Sequence, residues 1–312
     1  FDTASVAEIE MALEAGATPS RISYGNTIKK ERDVARAFEL GIRLYAVDCV
    51  EEVEKVARAA PGSRVFCRVL TDGEGAEWPL SRKFGCVPAM AIDVLRHAKS
   101  LGLDSYGVSF HVGSQQTDLT AWDRALSDAA SVFRTLADEG IVLRMVNMGG
   151  GFPTRYLKDV PTAQAYGMAI FDALSKHFGN RIPETIIEPG RGMVGNAGVI
   201  KTEVVLVSRK SDNDNVRWVY LDIGKFGGLA ETMDEAIRYQ IVTPHDGGET
   251  EPCVLAGPTC DSADVLYEKT PYPLPVSLTI GDEVLIEGTG AYTTTYSAVA
   301  FNGFEPLRSY VI

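Results

Sequence analysis

A thiol and a carboxylate stand side by side at Cys260-Asp261, inside the run Gly257-Pro258-Thr259-Cys260-Asp261-Ser262-Ala263-Asp264, whose Gly-Pro kink reads as a loop tip. A free cysteine is usually an inert buried thiol. At a loop tip it reads instead as a presented acid: an ordinary thiol is protonated at neutral pH, a neighbouring carboxylate favours that form, and the proton can be delivered to a carbanion. Three earlier segments carry complementary groups: His111-Val112-Gly113-Ser114, Gly149-Gly150-Gly151-Phe152-Pro153 and Glu188-Pro189-Gly190-Arg191.

Three consecutive glycines after an apolar strand let backbone N–H groups approach a phosphate, since no Cβ blocks the nest; a plain tight turn is the alternative. The Arg191 guanidinium, arriving from the next strand end, would complete such a cradle. Glu188 closes the apolar stretch Ile186-Ile187, where a carboxylate is costly unless something cationic meets it. A protonated pyridine nitrogen would do so and would keep the ring an electron sink; a buried Glu188–Arg191 pair of structural role is the other reading. His111 is either a satisfied core histidine or, at a strand end beside Gly113 and Ser114, an imidazole lying flat on a cofactor ring with the Ser114 hydroxyl on its phosphate. A flat ring, a phosphate, a ring nitrogen and a proton donor are then all provided for, which implies pyridoxal phosphate chemistry on an amino acid.

The elements that must hold these residues alternate. Short apolar runs at 22–24, 44–47, 65–69, 106–111, 143–148 and 185–188 read as strands, with helical patterns near 5–16, 29–40, 50–60, 88–101, 118–139 and 161–178. Such βα alternation predicts a parallel sheet with helices outside. Six strands and a fragment at Phe1 make seven, so the expectation is a (β/α)8 TIM barrel lacking its first strand in this chain, with a doubly wound sheet as the alternative. His111, the glycines and Glu188 fall at the C-terminal ends of successive strands, where barrels place their chemistry. After Arg191 the runs 199–208, 216–222, 252–256, 283–287 and 292–301, rich in Val, Ile, Thr and Tyr, predict a mostly antiparallel β domain, with one helical piece at 231–239. The expected division is residues 1–196 for the barrel and 197–312 for the β domain.

A charge of −12, from 30 Lys plus Arg against 42 Asp plus Glu, disfavours nucleic acid and anionic membrane as partners and suits a cationic small molecule. Five cysteines with no Cys-x-x-Cys spacing suggest neither a disulfide framework nor a metal site, which fits a reducing cytoplasm. No apolar run approaches the ~18 residues of a membrane span, and no secretion leader is expected in this chain.

In this order, and with Phe1-Asp2-Thr3-Ala4-Ser5, Lys83-Phe84-Gly85, Gly290-Ala291-Tyr292-Thr293 and Phe301-Asn302-Gly303-Phe304, the segments resemble the pyridoxal-phosphate decarboxylases of the eukaryotic-type ornithine decarboxylase family, whose fold is shared with alanine racemase and diaminopimelate decarboxylase. The resemblance implies roles residue by residue. His111 is similar to the ring-stacking histidine and Glu188 to the pyridine-nitrogen partner. Ser114, Gly149, Gly150, Gly151, Arg191 and Tyr292 match the phosphate site, and Asp2 and Arg68 match residues beside the Schiff base and the ring hydroxyl. Cys260 resembles the thiol that reprotonates Cα, and Asp261 the carboxylate that receives the substrate's distal ammonium. Both would be donated across a head-to-tail homodimer, with Lys83 and Asp264 as an interface ion pair and Phe301 at the same boundary.

Two departures stand out. The family's Schiff-base lysine precedes the Phe-Asp-x-Ala-Ser segment at which this sequence starts, so the expectation is an N-terminally truncated enzyme. Ile223 occupies the position expected for a second distal-amine aspartate, leaving Asp222 or Glu231 to substitute or Asp261 to serve alone. The implied activity is decarboxylation of a diamino acid, ornithine to putrescine for polyamine biosynthesis first, with lysine or both as the alternative. A diaminopimelate decarboxylase is disfavoured because Asp261 would repel a distal carboxylate, and a racemase because no second base is evident. The rival of another class is a non-catalytic, antizyme-inhibitor-like binding protein.

Overall fold

The computed structural model describes residues 1–78 and 83–312. Its backbone forms two compact units, one of residues Phe1–Gly151 and Pro161–Pro189, the other of Phe152–Val160 and Gly190–Ile312. The first contains β1 (Asp2–Thr3), α1 (Val6–Glu14), β2 (Ser23–Tyr24), α2 (Glu31–Glu39), β3 (Leu44–Val47), α3 (Val50–Ala59), β4 (Arg64–Arg68), β5 (Ala76–Trp78), α4 (Pro88–Ser100), β6 (Asp104–Ser109), β7 (Ser114–Gln116), α5 (Ala121–Asp138), β8 (Met145–Asn147), α6 (Ala163–Phe178) and β9 (Glu184–Ile186). Local chemistry starts the helices where it can. Ser5 caps α1 by accepting from the Glu8 N–H at 3.2 Å, and Thr162 caps α6 by accepting from Ala165 N–H at 3.2 Å.

Seven of these strands form one parallel sheet in the order β1-β2-β3-β4-β6-β8-β9. Its two edges would stand about 29 Å apart if it were flat, at ~4.8 Å per strand. Instead, the charge of Glu188, just beyond β9, acts on the carboxyl of Asp2 in β1. The sheet therefore curls until both edges flank one mouth, the geometry of a barrel and not of a doubly wound open sheet. Gly107 makes one close approach possible, since a Cβ there would lie 2.2 Å from the Met145 carbonyl oxygen. The small ladder between β5 and β7 had no signal in the sequence.

The second unit contains α7 (Gly190–Val194), β10 (Val199–Ser208), β11 (Arg217–Leu221), β12 (Gln240–Val242), β13 (Thr250–Ala256), β14 (Tyr272–Pro275) and β15 (Glu283–Glu287). Its six strands run in the order β12-β15-β10-β11-β13-β14, antiparallel throughout except for the parallel pair β11 and β13. Val204, Val219, Leu221, Leu255 and Ile286 build its core, and Tyr156 joins them. That is why 152–160 goes with this unit although it lies inside the barrel stretch of the sequence. The units therefore divide at Pro189 and Gly190, earlier than the expected 196, with a short excursion that hydrophobic periodicity does not announce.

Two expected elements differ. The stretch 292–301 is not a strand: it holds the 3-10 turn Thr294–Tyr296, and Tyr292 and Ala300 take positive φ values of 56° and 58°. Those left-handed residues override the β propensity of Tyr and Thr. The stretch 231–239 holds only the 3-10 turn Ala230–Glu235, kinked at Met233 and Asp234.

A buried ion cluster ties β3 to its neighbours. Lys29, with its side chain fully enclosed, donates to the Ala46 carbonyl at 2.6 Å and the Asn26 carbonyl at 2.8 Å, and pairs with Glu52 at 2.9 Å. Lys55 reaches the other Glu52 oxygen at 2.6 Å. β2 meets β3 only at Tyr24 and Tyr45, and the ammonium meets the next carbonyl of β3, that of Ala46. Replacing one member of such a pair leaves the other charge buried and uncompensated. Glu52→Gln is expected to lower the unfolding free energy by about 3 to 5 kcal/mol, measured as a shift of the urea midpoint.

Candidate active site

Alternate residues of a strand share a face. Phe66 and Met145 belong to the inner apolar cluster with Leu44 and Ala46, and Ile186 packs against it. Two residues further along each strand stand Arg68, Asn147 and Glu188, so the same face turns polar at the C-terminal mouth. The mouth thereby collects Asp2, Arg68, His111 and Glu188, whose charges or rings influence one another.

Glu188 is the centre of this group. Its Oε1 accepts from Asn147 Nδ2 at 2.5 Å, while among the described residues Oε2 has no hydrogen-bond partner. Burial pushes its carboxyl above the usual range, against the opposing pull of Asn147 and the Arg68 charge. Asp2 is raised further, to about 7, by burial and by Glu188, with Ser23 holding it through a 3.0 Å hydrogen bond. Asp2 as a residue is exposed in the single chain, so the desolvation is that of a crowded mouth and not of a closed core.

His111 lies two residues beyond β6. Its Nδ1 accepts the Gly113 N–H at 3.1 Å, which leaves the ring proton to Nε2, and its carbonyl accepts from Thr71 Oγ1 at 2.6 Å. Burial, followed by the Arg68 charge, pushes the imidazole down to about 4. The ring is thus neutral at physiological pH, as a stacking surface requires. Ser114 sits in β7, in register with Trp78 of β5.

The glycine turn meets both groups. A Cβ on Gly149 would lie 2.1 Å from the Phe110 carbonyl, and one on Gly150 would lie 2.7 Å from the Glu188 carbonyl and 3.1 Å from His111 Nε2. Packing alone therefore demands glycine here, and the same demand brings the turn's backbone beside the ring of His111. Asn147 ties the arrangement together: its Oδ1 accepts the Gly149 N–H at 3.0 Å while its Nδ2 holds Glu188. Sequence reasoning missed this residue, although a lone amide in an apolar strand just before three glycines was a usable signal.

The remaining expected residues are built by the second unit. Arg191 is buried, forks onto Glu231 with Nη1 at 2.7 Å and Nη2 at 2.6 Å, and meets the Tyr156 hydroxyl at 2.8 Å. Its guanidinium carbon lies 4.8 Å from the centre of the Tyr292 ring. Cys260 and Asp261 are exposed at a loop tip, as expected. The tip is braced: the Cys260 N–H donates to Asn302 Oδ1 at 3.1 Å, and Asp261 Oδ1 accepts the Ala263 N–H at 2.8 Å. Asp264 anchors the loop from within, accepting from Thr259 Oγ1 at 2.7 Å and from the Lys225 N–H at 2.8 Å. Asp264 is buried in the single chain. Of the two substitutes for the missing aspartate, Asp222 accepts from Thr202 and the Glu203 N–H, and Glu231 belongs to Arg191.

These groups fit pyridoxal phosphate. A half-buried, desolvated carboxylate with an open oxygen suits a ring N–H, a neutral imidazole suits a ring face, and a turn of three glycines suits the close approach of a phosphate. The depressed His111 pKa has a consequence for stability. Because the folded value of about 4 lies below the ordinary 6.5, the group contributes stability above pH 6.5 that is lost as pH falls towards 4. Between those limits the unfolding free energy of the parent protein is expected to fall more than that of His111→Phe, by up to about 3 kcal/mol, measured by urea unfolding at several pH values.

Comparison with known proteins agrees with this geometry. The family model described as the pyridoxal-binding domain of pyridoxal-dependent decarboxylases matches residues 1–195. A lysine/ornithine decarboxylase of Selenomonas ruminantium is 34% identical over 97% of this chain and 75% of its own length. Antizyme inhibitor 2 of Xenopus laevis is 32% identical over 98% of this chain and 69% of its own. The crystal structure of the Paramecium bursaria Chlorella virus arginine decarboxylase bound to agmatine superposes with a TM-score of 0.86 at 29% identity, covering 97% of this chain and 80% of that one. The fold, the mouth of the barrel and these matches together place the chain in the family of pyridoxal-dependent decarboxylases.

Proposed function

We propose that the protein decarboxylates a basic amino acid, ornithine to putrescine first and lysine or both as the alternative, within a homodimer of shared active sites. The observation that carries this reading is Glu188, desolvated at the barrel mouth with one oxygen held by Asn147 and the other open, beside a neutral His111. When bound, pyridoxal phosphate supplies an electron sink for the pair left at Cα as the α-carboxylate departs as CO2. Glu188 would hold a proton at the ring nitrogen, His111 would fix the ring plane, and Ser114 with Gly149, Gly150, Gly151, Arg191 and Tyr292 would hold the phosphate. Asp261 would hold the distal ammonium, which sets the Cα–carboxylate bond across the ring. Cys260 would then deliver its proton to Cα.

Exposure of the braced Cys260-Asp261 tip in the single chain supports its donation to a partner subunit. The similarity to a lysine/ornithine decarboxylase supports the substrate class, and five free thiols suit the cytoplasm. A second reading, a binding protein of the antizyme-inhibitor kind, draws on the Xenopus relative. A thiol and a carboxylate braced side by side speak for catalysis.

The test uses the purified protein supplied with pyridoxal phosphate. Ornithine, lysine and arginine are supplied in turn, and the diamine and CO2 are quantified. Diamine from ornithine or lysine supports the proposal, whereas a protein that neither absorbs as a pyridoxal phosphate enzyme nor releases CO2 would favour the binding module. Cys260→Ala should keep cofactor affinity and lose at least about tenfold in correctly protonated product; undiminished diamine yield and fidelity would remove Cys260 from the mechanism.

A further inference from the structure

Glu231 was a candidate for the substrate's distal ammonium, and its surroundings assign it elsewhere. Both its oxygens are taken by the Arg191 fork at 2.6 and 2.7 Å, with side-chain exposures of 6% for Glu231 and 3% for Arg191. An ammonium could reach that carboxylate only by displacing a guanidinium that is already bound through two parallel hydrogen bonds. The pair is also framed on its other sides. Tyr156 meets Nη1 with its hydroxyl at 2.8 Å, and its ring stands edge-on to Tyr239 at 5.4 Å within the apolar core. The backbone of Glu231 is fixed by the Ile237 N–H, which donates to its carbonyl at 3.0 Å. Tyr292 lies over the guanidinium at 4.8 Å, with the Tyr296 ring 5.6 Å away on another side, so the guanidinium is one of the two groups that fix its ring.

We propose that Glu231 is a positioning residue for the cofactor's phosphate end: it sets the fork of Arg191 and, through Arg191, the ring of Tyr292, and it takes no part in holding the diamino acid. This rests on the reading above in which Arg191 and Tyr292 serve the phosphate. Because the carboxylate cancels the guanidinium charge locally and both Nη atoms already donate to Glu231, the contribution to phosphate binding runs through the direction of the fork and the placing of Tyr292 and not through net charge. Loss of the carboxylate therefore loosens phosphate binding even though it leaves the region more positive. Selection of the distal amine then falls to Asp261 and to groups outside this cluster.

The test compares pyridoxal phosphate with pyridoxal, which lacks the phosphate, as ligands of the apo-protein, by fluorescence titration. In Glu231→Gln the preference for pyridoxal phosphate over pyridoxal is expected to fall by about tenfold or more, while the KM for ornithine and lysine at saturating cofactor changes less than about twofold. Glu231→Asp, which keeps the charge but retracts it by one methylene, should fall between the two. Tyr156→Phe removes only the Nη1 contact and should lower the preference by about two- to fivefold, which keeps the proposal testable if Glu231→Gln does not fold. A tenfold rise in KM with an unchanged preference would make Glu231 a substrate group and overturn the proposal, as would an unchanged or increased preference with unchanged KM. A parent protein with no preference for the phosphorylated ligand would instead overturn the phosphate reading on which it rests.

Discussion

Desolvating a carboxylate without a full counter-charge is expensive, and the half-buried Glu188 bears that expense at the mouth of the barrel. Asn147 satisfies one oxygen and Arg68 acts only through its field, so the carboxyl is driven towards its neutral form. The neighbours obey the same constraint. Asp2 shifts upward because it shares the desolvated mouth with Glu188, and His111 shifts downward through burial first and the charge of Arg68 second. A cationic ring nitrogen would pair with Glu188 and favour its ionised form. The first unit is thus preorganised for a charge that the cofactor brings.

The second unit achieves rigidity by different means. Its cation is fully compensated: Arg191 is held by Glu231, Tyr156 and Tyr292, so it can offer direction without a free charge. Its Cys260-Asp261 tip is exposed but not loose, because Asp264 gathers the loop beneath it and Asn302 holds the Cys260 amide. Gly224 and Gly257 are glycine for that reason, since a Cβ on either would fall within 2.3 Å of the Asp264 carboxylate. Chemistry that needs an accessible acid at a fixed position is served by such a braced tip.

Much of this was legible in the chain. The six helices and the strands of the barrel follow from apolar periodicity, and β3, β10 and β15 occur at the expected residues. His111, the glycines and Glu188 were legible because strand ends in a βα repeat gather at one mouth. What escaped depended on contacts between residues far apart in sequence. The partner of Glu188 is Asn147, 41 residues away, and that of Arg191 is Glu231, 40 away. The excursion 152–160 joins the second core through one tyrosine, and the turn at 294–296 is dictated by left-handed backbone at residues of high β propensity. Local patterns mark the amide before the three glycines but carry none of these pairings.

The account stands most directly on the charge state of Glu188. Carbon-13 NMR of its carboxyl carbon, titrated in the apo-protein and again with pyridoxal phosphate bound, reads that state without reference to turnover. The apo-protein should show a pKa above that of an ordinary glutamate, and cofactor should bring it down as the ring nitrogen takes the open oxygen. An ordinary value in the apo-protein, or a raised value that the cofactor leaves in place, would contradict the account.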